Sequence, residues 1–289
     1  MPNLLLIRGL GHSGSTILDL ALGAHPQIVG LGEAARLLAV PAPGEELRAP
    51  AQLRRTGVGS LRQTRRCSCG ELAVDCPVWG PMLEWLPGHD DQSLARKMGQ
   101  LLSSLERHQC RGGAPLSWVV DSFQSDRTLT SGHPLPPELG DCQIRVLFLV
   151  RDLRSWVHST CRRSGRNPWR ALARWWRENQ RIEAHLRRSG IPFLQLGYEE
   201  LALAPEAALR LICGWLELDF HPAMLAPGQH SGSHVLSGNR LRHDPARIAR
   251  IHYDGAWLST RSLPVALAPL LPGVSAMNQR LVYSNGLLI

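Results

Sequence analysis

Leu4-Leu5-Leu6-Ile7-Arg8-Gly9-Leu10-Gly11-His12-Ser13-Gly14-Ser15-Thr16 is an apolar strand running into a turn of small residues, with a helix to follow from Ile17. The spacing Gly9-x-x-x-x-Gly14-x-Thr16 nearly spells a Walker A loop, but Ser15 stands where a nucleotide triphosphatase carries lysine. Backbone N–H groups and the positive end of the following helix suit the oxygens of a phosphate-like anion. Nothing in the turn reaches out to a γ-phosphate, so it is expected to hold an anion other than an ATP tail.

The chain has 289 residues, 44% of them hydrophobic, enough to bury a sizeable core; one α/β domain over 1–289 is expected. Net charge is +8 and Lys97 is the only lysine, so the basic surface is almost entirely guanidinium. Such planar groups suit phosphate and sulfate partners. No aromatic-basic recognition motif accompanies them, and no nucleic-acid partner is expected. The run Leu4 to Ile7 follows no basic segment and is too short for a signal peptide or a membrane span. The expectation is a cytoplasmic protein.

Seven cysteines, an odd number, argue against a disulfide framework. Three cluster in Cys67-Ser-Cys69-Gly-Glu-Leu-Ala-Val-Asp-Cys76-Pro-Val-Trp79. Read as a zinc knuckle, this cluster needs a remote fourth ligand such as His89 or Cys110, and only one tight pair is evident where a tetrahedral site normally declares two. The favoured reading is a structural knob with one local disulfide, and no metal is assigned.

Pro41 to Arg66 mixes Pro, Gly, Glu and Arg without apolar periodicity and is expected to leave the core; with the cysteine knob it forms an insertion at about 41–110. Gln92 to His108 carries apolar residues at helical spacing. Trp118 to Asp121 and Arg145 to Val150 read as strands apolar on both faces, which suits a parallel sheet covered by helices. Asp152 is a good N-cap for a helix to about Cys161, and Pro168 opens a longer one, Trp169 to Arg188, that Gly190 closes. A strand over Ile191 to Leu196 and a helix from about Pro205 to Leu216 continue the alternation. The fold class is therefore α/β, a three-layer α/β/α sandwich with a central parallel sheet and a P-loop-like turn. Ligands of such sheets lie at the carboxyl ends of the strands. Gly11 to Thr16, Asp121 with Ser122, and Arg151 with Asp152 all follow apolar strands directly, so three segments are expected to converge on one site.

On these residues the chain resembles the sulfotransferases that use 3'-phosphoadenosine 5'-phosphosulfate, PAPS, and release PAP. Gly11-His12-Ser13-Gly14-Ser15-Thr16-Ile17-Leu18 is similar to the family's 5'-phosphosulfate loop. Arg145 to Ser159 is similar to its 3'-phosphate motif, a strand ending in arginine with a serine two helical turns on, and implies that Arg151 and Ser159 bind the 3'-phosphate. His25-Pro26 followed by Gly32-Glu33-Ala-Ala-Arg36 resembles the segment carrying the catalytic glutamate of tyrosylprotein sulfotransferases. Trp175-Trp176-x-x-Asn179 and Tyr198-Glu199-Glu200-Leu201 resemble the later helix and strand-end motif, with Tyr198 and Glu199 read as structural. The cysteine knob and Gly238-Asn239-Arg240-Leu241-Arg242, ahead of Asp254 and Trp257, look like a bacterial subgroup. From that likeness Asn239 and Arg240 join the nucleotide-binding set, and Arg240 and Arg242 either close over the nucleotide or face solvent.

The resemblance implies sulfuryl transfer from PAPS to a hydroxyl, less readily an amine, of a small-molecule, sugar or lipid-linked acceptor. The 5' end would be held by Gly11, His12, Ser13, Gly14, Ser15 and Thr16, with Glu33 as base. His133 is the rival base; Asp121 and Ser122 either orient the acceptor or cap a turn. Two positions depart from the pattern: His12 stands where relatives carry arginine or lysine, and Gln124 where the bacterial subgroup often has lysine. A histidinium at position 12 would restore that charge only below about pH 6.5, with Arg36 or Arg127 as compensating cations. The alternatives are a catalytically degenerate PAPS- or PAP-binding protein and a P-loop kinase-like phosphotransferase.

Overall fold

A computed structural model describes residues 1–42, 57–106, 113–123, 128–130, 136–260 and 262–288. Five strands form one parallel sheet in the order β2-β3-β1-β4-β5: β1 Asn3–Gly9, β2 Ile28–Gly30, β3 Trp118–Asp121, β4 Ile144–Val150 and β5 Phe193–Gly197. The alternation of side chains along β1 explains its continuous apolar run. Leu4 and Leu6 enter one core with Val119, Val146 and Phe148, while Leu5 and Ile7 enter a second with Val120, Leu147 and Leu149 on the other face.

The second core is covered by helices α1, Ser15–Leu22, and later α8, Tyr198–Leu203, and α9, Pro205–Trp215. Between α1 and α8 in sequence come α2, Ala34–Leu37, then α3, Val58–Gln63, α4, Trp79–Trp85, and α5, Leu94–Ser104. After β4 follow α6, Leu153–Ser164, and α7, Pro168–Ser189. These helices pack the first core, so the assembly is a three-layer α/β/α sandwich. Asp152 caps α6 by accepting from the Arg154 amide, and Asn167 caps α7. Along α7 only Trp175 of the three tryptophans is in the core, whereas Trp169 and Trp176 stay exposed because the helical period turns them outward. Among the described residues no helix is long and apolar enough to cross a membrane.

Pro41 to Arg66, expected to leave the core, packs into it at Leu61 and Arg62, and the knob and helix that follow do so too. Leu61, Cys67, Cys76, Trp79, Met82, Met98, Leu101 and Leu102 are all buried in the first cluster. Arg62 and Lys97 lock it down: Arg62 grips both Asp90 carboxylate oxygens at 2.7 Å, and Lys97 Nζ donates to the Asp90 and Leu38 carbonyls. Charged residues hide this packing from a reading of periodicity, because their apolar stems and paired heads fill core positions. The expected local disulfide is also absent: Cys67, Cys69 and Cys76 are free thiols, with Sγ atoms 3.7 and 3.9 Å apart where a disulfide needs about 2.0 Å.

Parallel register sets where the site falls. Gly9 lies beside Leu149 and Leu6 beside Asp121, so the loops leaving β1, β3 and β4 emerge along one edge. The chain winds through β2 and β3 on one side of β1 and crosses to β4 and β5 on the other, which makes that edge the topological switch point. Gly9 permits the close strand approach, since a Cβ there would sit 2.3 Å from the Leu149 carbonyl oxygen.

Candidate functional site

The turn after β1 is built by two left-handed residues, His12 at φ 73° and Gly14 at φ 94°. Gly14 caps α1, and any side chain there would strike the Tyr198 ring, because its Cβ would fall 2.4 Å from the nearest ring carbon. Two donors from the β4–α6 corner tie the turn's carbonyls back: Trp156 Nε1 to the Gly11 oxygen at 2.7 Å and Arg151 to the His12 oxygen at 3.1 Å. The start of α1 is thereby aimed at a cavity of about 1150 Å³. Gly11, His12, Gly14, Ser15, Thr16, Glu33, Arg151, Ser159 and Asn239 all line it. Ser13 is instead buried in the turn, its amide donating to the Leu10 carbonyl. Arg240 begins a short turn, but its side chain lies outside the described residues, as do Gln124, Arg127, His133 and Cys110.

Arg151 is 6% exposed and each of its three nitrogens has a partner within the protein. Nε donates to Ser155 Oγ at 2.7 Å, one amino group reaches Asp254 at 2.9 Å, and the guanidinium carbon lies 4.7 Å from the centre of the Tyr198 ring. Ser155, four residues on, is the hydroxyl that touches Arg151, while Ser159 lines the cavity a further turn along the same face. Burial alone would push the Asp254 carboxyl up, but the hydrogen bond and charge of Arg151 hold it below its ordinary value. Arg162, Arg163 and Arg247 join the wall. Burial, then the like charges of Arg162, Arg247 and Arg151, pull Arg163 down from its ordinary value. A guanidinium does not give up its proton in a protein, so this crowding is an electrostatic cost that an anion would relieve.

His12 does not restore the missing fixed charge. Burial and the positive charges of Arg163, Arg151 and Arg166 lower its pKa, which leaves a neutral imidazole at neutral pH. A histidinium here, conditional on pH in the sequence reading, is disfavoured first by burial and then by the same arginines that make the cleft basic.

Glu33 sits at a corner fixed from four directions. Asp19 of α1 accepts from the Gly32 amide at 2.9 Å; the Ser122 amide donates to the Gly32 carbonyl at 2.7 Å; Asp121 accepts from the Ala35 amide at 3.1 Å. Ser237 holds the residue itself, accepting from its amide and donating Oγ to Oε2 at 2.5 Å, where Arg36 also pairs at 2.9 Å. Asp121 and Ser122 are therefore supports of the Glu33 corner, and Asp121 additionally pairs with buried Arg8 at 3.1 Å. Asp19 is not legible as a site residue: within α1 it reads as one polar position in an apolar helix.

The stretch 233–239 forms a strap along this wall. The Asn239 amide donates to Thr16 Oγ1 at 3.2 Å, joining the strap to the turn. Arg242, expected over the nucleotide or in solvent, does neither; it is buried and donates to the carbonyls of Leu236, Gly238 and Asn239. Three backbone acceptors take its two amino groups and fix the strap's path, while the buried Nε has no partner among the described residues.

Two smaller tests arise from this geometry. Desolvation of fully buried Asp19 raises its carboxyl to about 7, so the unfolded chain ionises first as pH rises. That loses stability between about pH 4 and pH 7, at no more than about 1.4 kcal/mol per pH unit. Asp19→Asn is expected to flatten this slope in urea unfolding across the same window. If the cleft holds PAP, as the resemblance implies, Asp254→Asn, which removes the carboxylate paired with Arg151, is expected to tighten PAP binding roughly fivefold, about 1 kcal/mol, read by calorimetry; weaker binding would mean that Asp254 orients Arg151.

The family model described as "Sulfotransferase family" matches residues 143–222, the segment from β4 through α9. Among solved structures, the chain is similar to the sulfotransferase domain from the Synechococcus PCC 7002 olefin synthase. The two are 21% identical, with a TM-score of 0.58 over 96% of this chain and 94% of that one. At that identity the likeness establishes a sulfotransferase-like fold. No curated protein matches.

Proposed function

We propose that the cleft binds PAPS and PAP, and that the chain is a sulfotransferase acting on a hydroxyl of a small-molecule, sugar or lipid-linked acceptor. The observation that carries this reading is the crowding of Arg151, Arg162, Arg163 and Arg247 across a cleft from the amino end of α1. Both surfaces are electropositive, and the fit is to an anion charged at both ends. Arg151 and Ser159 would hold the 3'-phosphate, with Arg163 beside them. The turn Gly11 to Thr16, with Asn239, would hold the 5' group.

Sulfuryl transfer makes an acceptor O–S bond as the S–O bond to the 5'-phosphate breaks. The nearest template is phosphoryl transfer, in which positioning and charge stabilisation do most of the catalysis. Glu33 would take the acceptor's proton, its carboxylate held in place by Ser237 and Arg36. The amides at the start of α1, with Ser15 and Thr16, would stabilise charge on the departing phosphate. His12, neutral here, would donate a hydrogen bond instead of a full charge.

A second reading, a protein that binds PAPS or PAP without turnover, is favoured by two observations. His12 lacks the charge, and Glu33 is engaged in an ion pair with Arg36. A kinase-like reading is disfavoured because the only lysine, Lys97, is buried against the Leu38 and Asp90 carbonyls. Calorimetric PAP binding and transfer from labelled PAPS to an acceptor panel, measured on one sample, separate these readings. Binding with transfer supports the enzyme, binding alone the degenerate protein, and no binding removes both.

A further inference from the structure

The cysteine knob closes on a residue remote in sequence. Cys67, Cys69 and Cys76 meet His234, and the three Sγ atoms and an imidazole nitrogen all lie within 4.8 Å of one another. Cys76 Sγ is 3.7 Å from Cys67 Sγ, 3.9 Å from Cys69 Sγ and 3.2 Å from His234 Nδ1; Cys67 Sγ is 3.9 Å from the same nitrogen. A zinc ion with bonds of about 2.3 Å to sulfur and about 2.0 Å to nitrogen requires tetrahedral edges of about 3.8 Å between sulfurs and about 3.5 Å between sulfur and nitrogen. The two sulfur–sulfur separations lie close to that edge, the two sulfur–nitrogen separations fall on either side of theirs, and no pair of donors is more than 4.8 Å apart; both sulfur–sulfur separations are too long for a disulfide.

The backbone around the donors is arranged as a knuckle. The Cys67 amide donates to the Glu71 carbonyl at 2.8 Å, the Gly70 amide returns to the Cys67 carbonyl at 3.0 Å, and Arg66 bridges Leu72 in antiparallel fashion. Gly70 turns the chain at φ 99°. His234 is positioned independently: its amide donates to the Gly30 carbonyl at 2.6 Å, and its carbonyl accepts from Trp79 Nε1 at 2.6 Å. Ser68, between the first two cysteines, donates to the Ser233 carbonyl and accepts from the Val235 amide. The knuckle is thus docked against 233–235 by bonds that do not involve the donor atoms, which leaves three sulfurs and a nitrogen facing one point.

We propose that Cys67, Cys69, Cys76 and His234 form a structural zinc site. Three soft sulfurs and one imidazole in a tetrahedron select Zn²⁺ over hard cations. All four positions are filled by protein, so the ion has no open coordination site for catalysis. Binding expels the thiol protons and clips the knuckle to the strap. Ser237, which holds Glu33, and Asn239, which meets Thr16, lie three and five residues beyond His234 on that strap. The metal therefore braces one wall of the candidate active site across a gap of 158 residues between Cys76 and His234.

The full chain, reduced and purified without chelator, is expected to contain about one zinc per molecule by elemental analysis. Cobalt exchanged into it should give the visible ligand-field and thiolate charge-transfer bands of a tetrahedral sulfur-rich site. His234→Ala should weaken zinc binding at least about tenfold and alter the cobalt spectrum, whereas Cys142→Ser, at a buried cysteine away from the cluster, should change neither. A wild-type protein that takes up neither metal when reduced would overturn the proposal, and so would a cobalt spectrum without thiolate bands. Recovery of a Cys67–Cys76 or Cys69–Cys76 disulfide as the native state, by mass spectrometry under alkylating conditions, would do the same. These readouts contain no nucleotide, so they stand or fall separately from PAPS binding.

Discussion

Arg151→Ala is expected to weaken PAP binding by about 2 kcal/mol or more, roughly thirtyfold. The side chain is the junction of the site. It reaches the His12 carbonyl of the turn, Ser155 of α6 and Asp254 at once, and stacks on Tyr198. Truncation removes the cation and also strands Asp254, whose carboxylate would then repel the incoming phosphate. The double variant Arg151→Ala with Asp254→Asn is expected to recover part of the loss, because the uncompensated negative charge is gone. Isothermal titration with PAP reads both. An Arg151→Ala affinity equal to that of the wild type would place the 3'-phosphate elsewhere, with Arg163 as the next residue to remove.

Glu33→Gln is expected to lower turnover by about a hundredfold or more, the usual worth of a positioned general base, while changing PAP affinity less than about twofold. Glutamine is close to isosteric and keeps an oxygen for Ser237, so the corner built by Asp19, Ser122 and Asp121 should survive. Single-turnover transfer from labelled PAPS tests the first half and calorimetry the second. Full activity in this variant would move the base role to another residue. Loss of PAP binding alongside activity would mean that the substitution had disturbed the turn through Ser237 and Asn239.

Four of the five strands are legible in the sequence because each carries its own apolar run, whereas β2, three residues long at Ile28–Gly30, is too short to announce itself. Leu4 to Ile7 and Val146 to Val150 are apolar on both faces, and only a parallel sheet between two helical layers accommodates that. The turn after β1 and Arg151 after β4 are legible for the same reason, each following a buried strand directly. What escapes is set by contacts across long sequence gaps. Nothing local distinguishes Asp19 from any buried polar residue of a helix, yet it holds Gly32. Asp254 pairs with Arg151 over 103 residues. Arg242 reads as a surface cation because its ligands are backbone carbonyls, which no side-chain pattern announces. The spacing of Cys67, Cys69 and Cys76 likewise gives no hint of His234. The charge of His12, left conditional on pH by the sequence, is disfavoured by its burial and by the arginines around it, neither of which the local sequence announces.

Between Ser233 and Asn239 the chain is gripped largely through main-chain atoms, by Ser68, Trp79, Arg242, Thr16 and the Gly30 carbonyl. Such a clasp measures length before it measures chemistry. A single-residue insertion or deletion within the segment would slide every amide and carbonyl past its mate and carry Ser237 away from Glu33, whereas an exchange of side chains leaves the count intact. Homologous chains that keep this arrangement must therefore hold the number of residues here constant, even where the letters themselves have drifted.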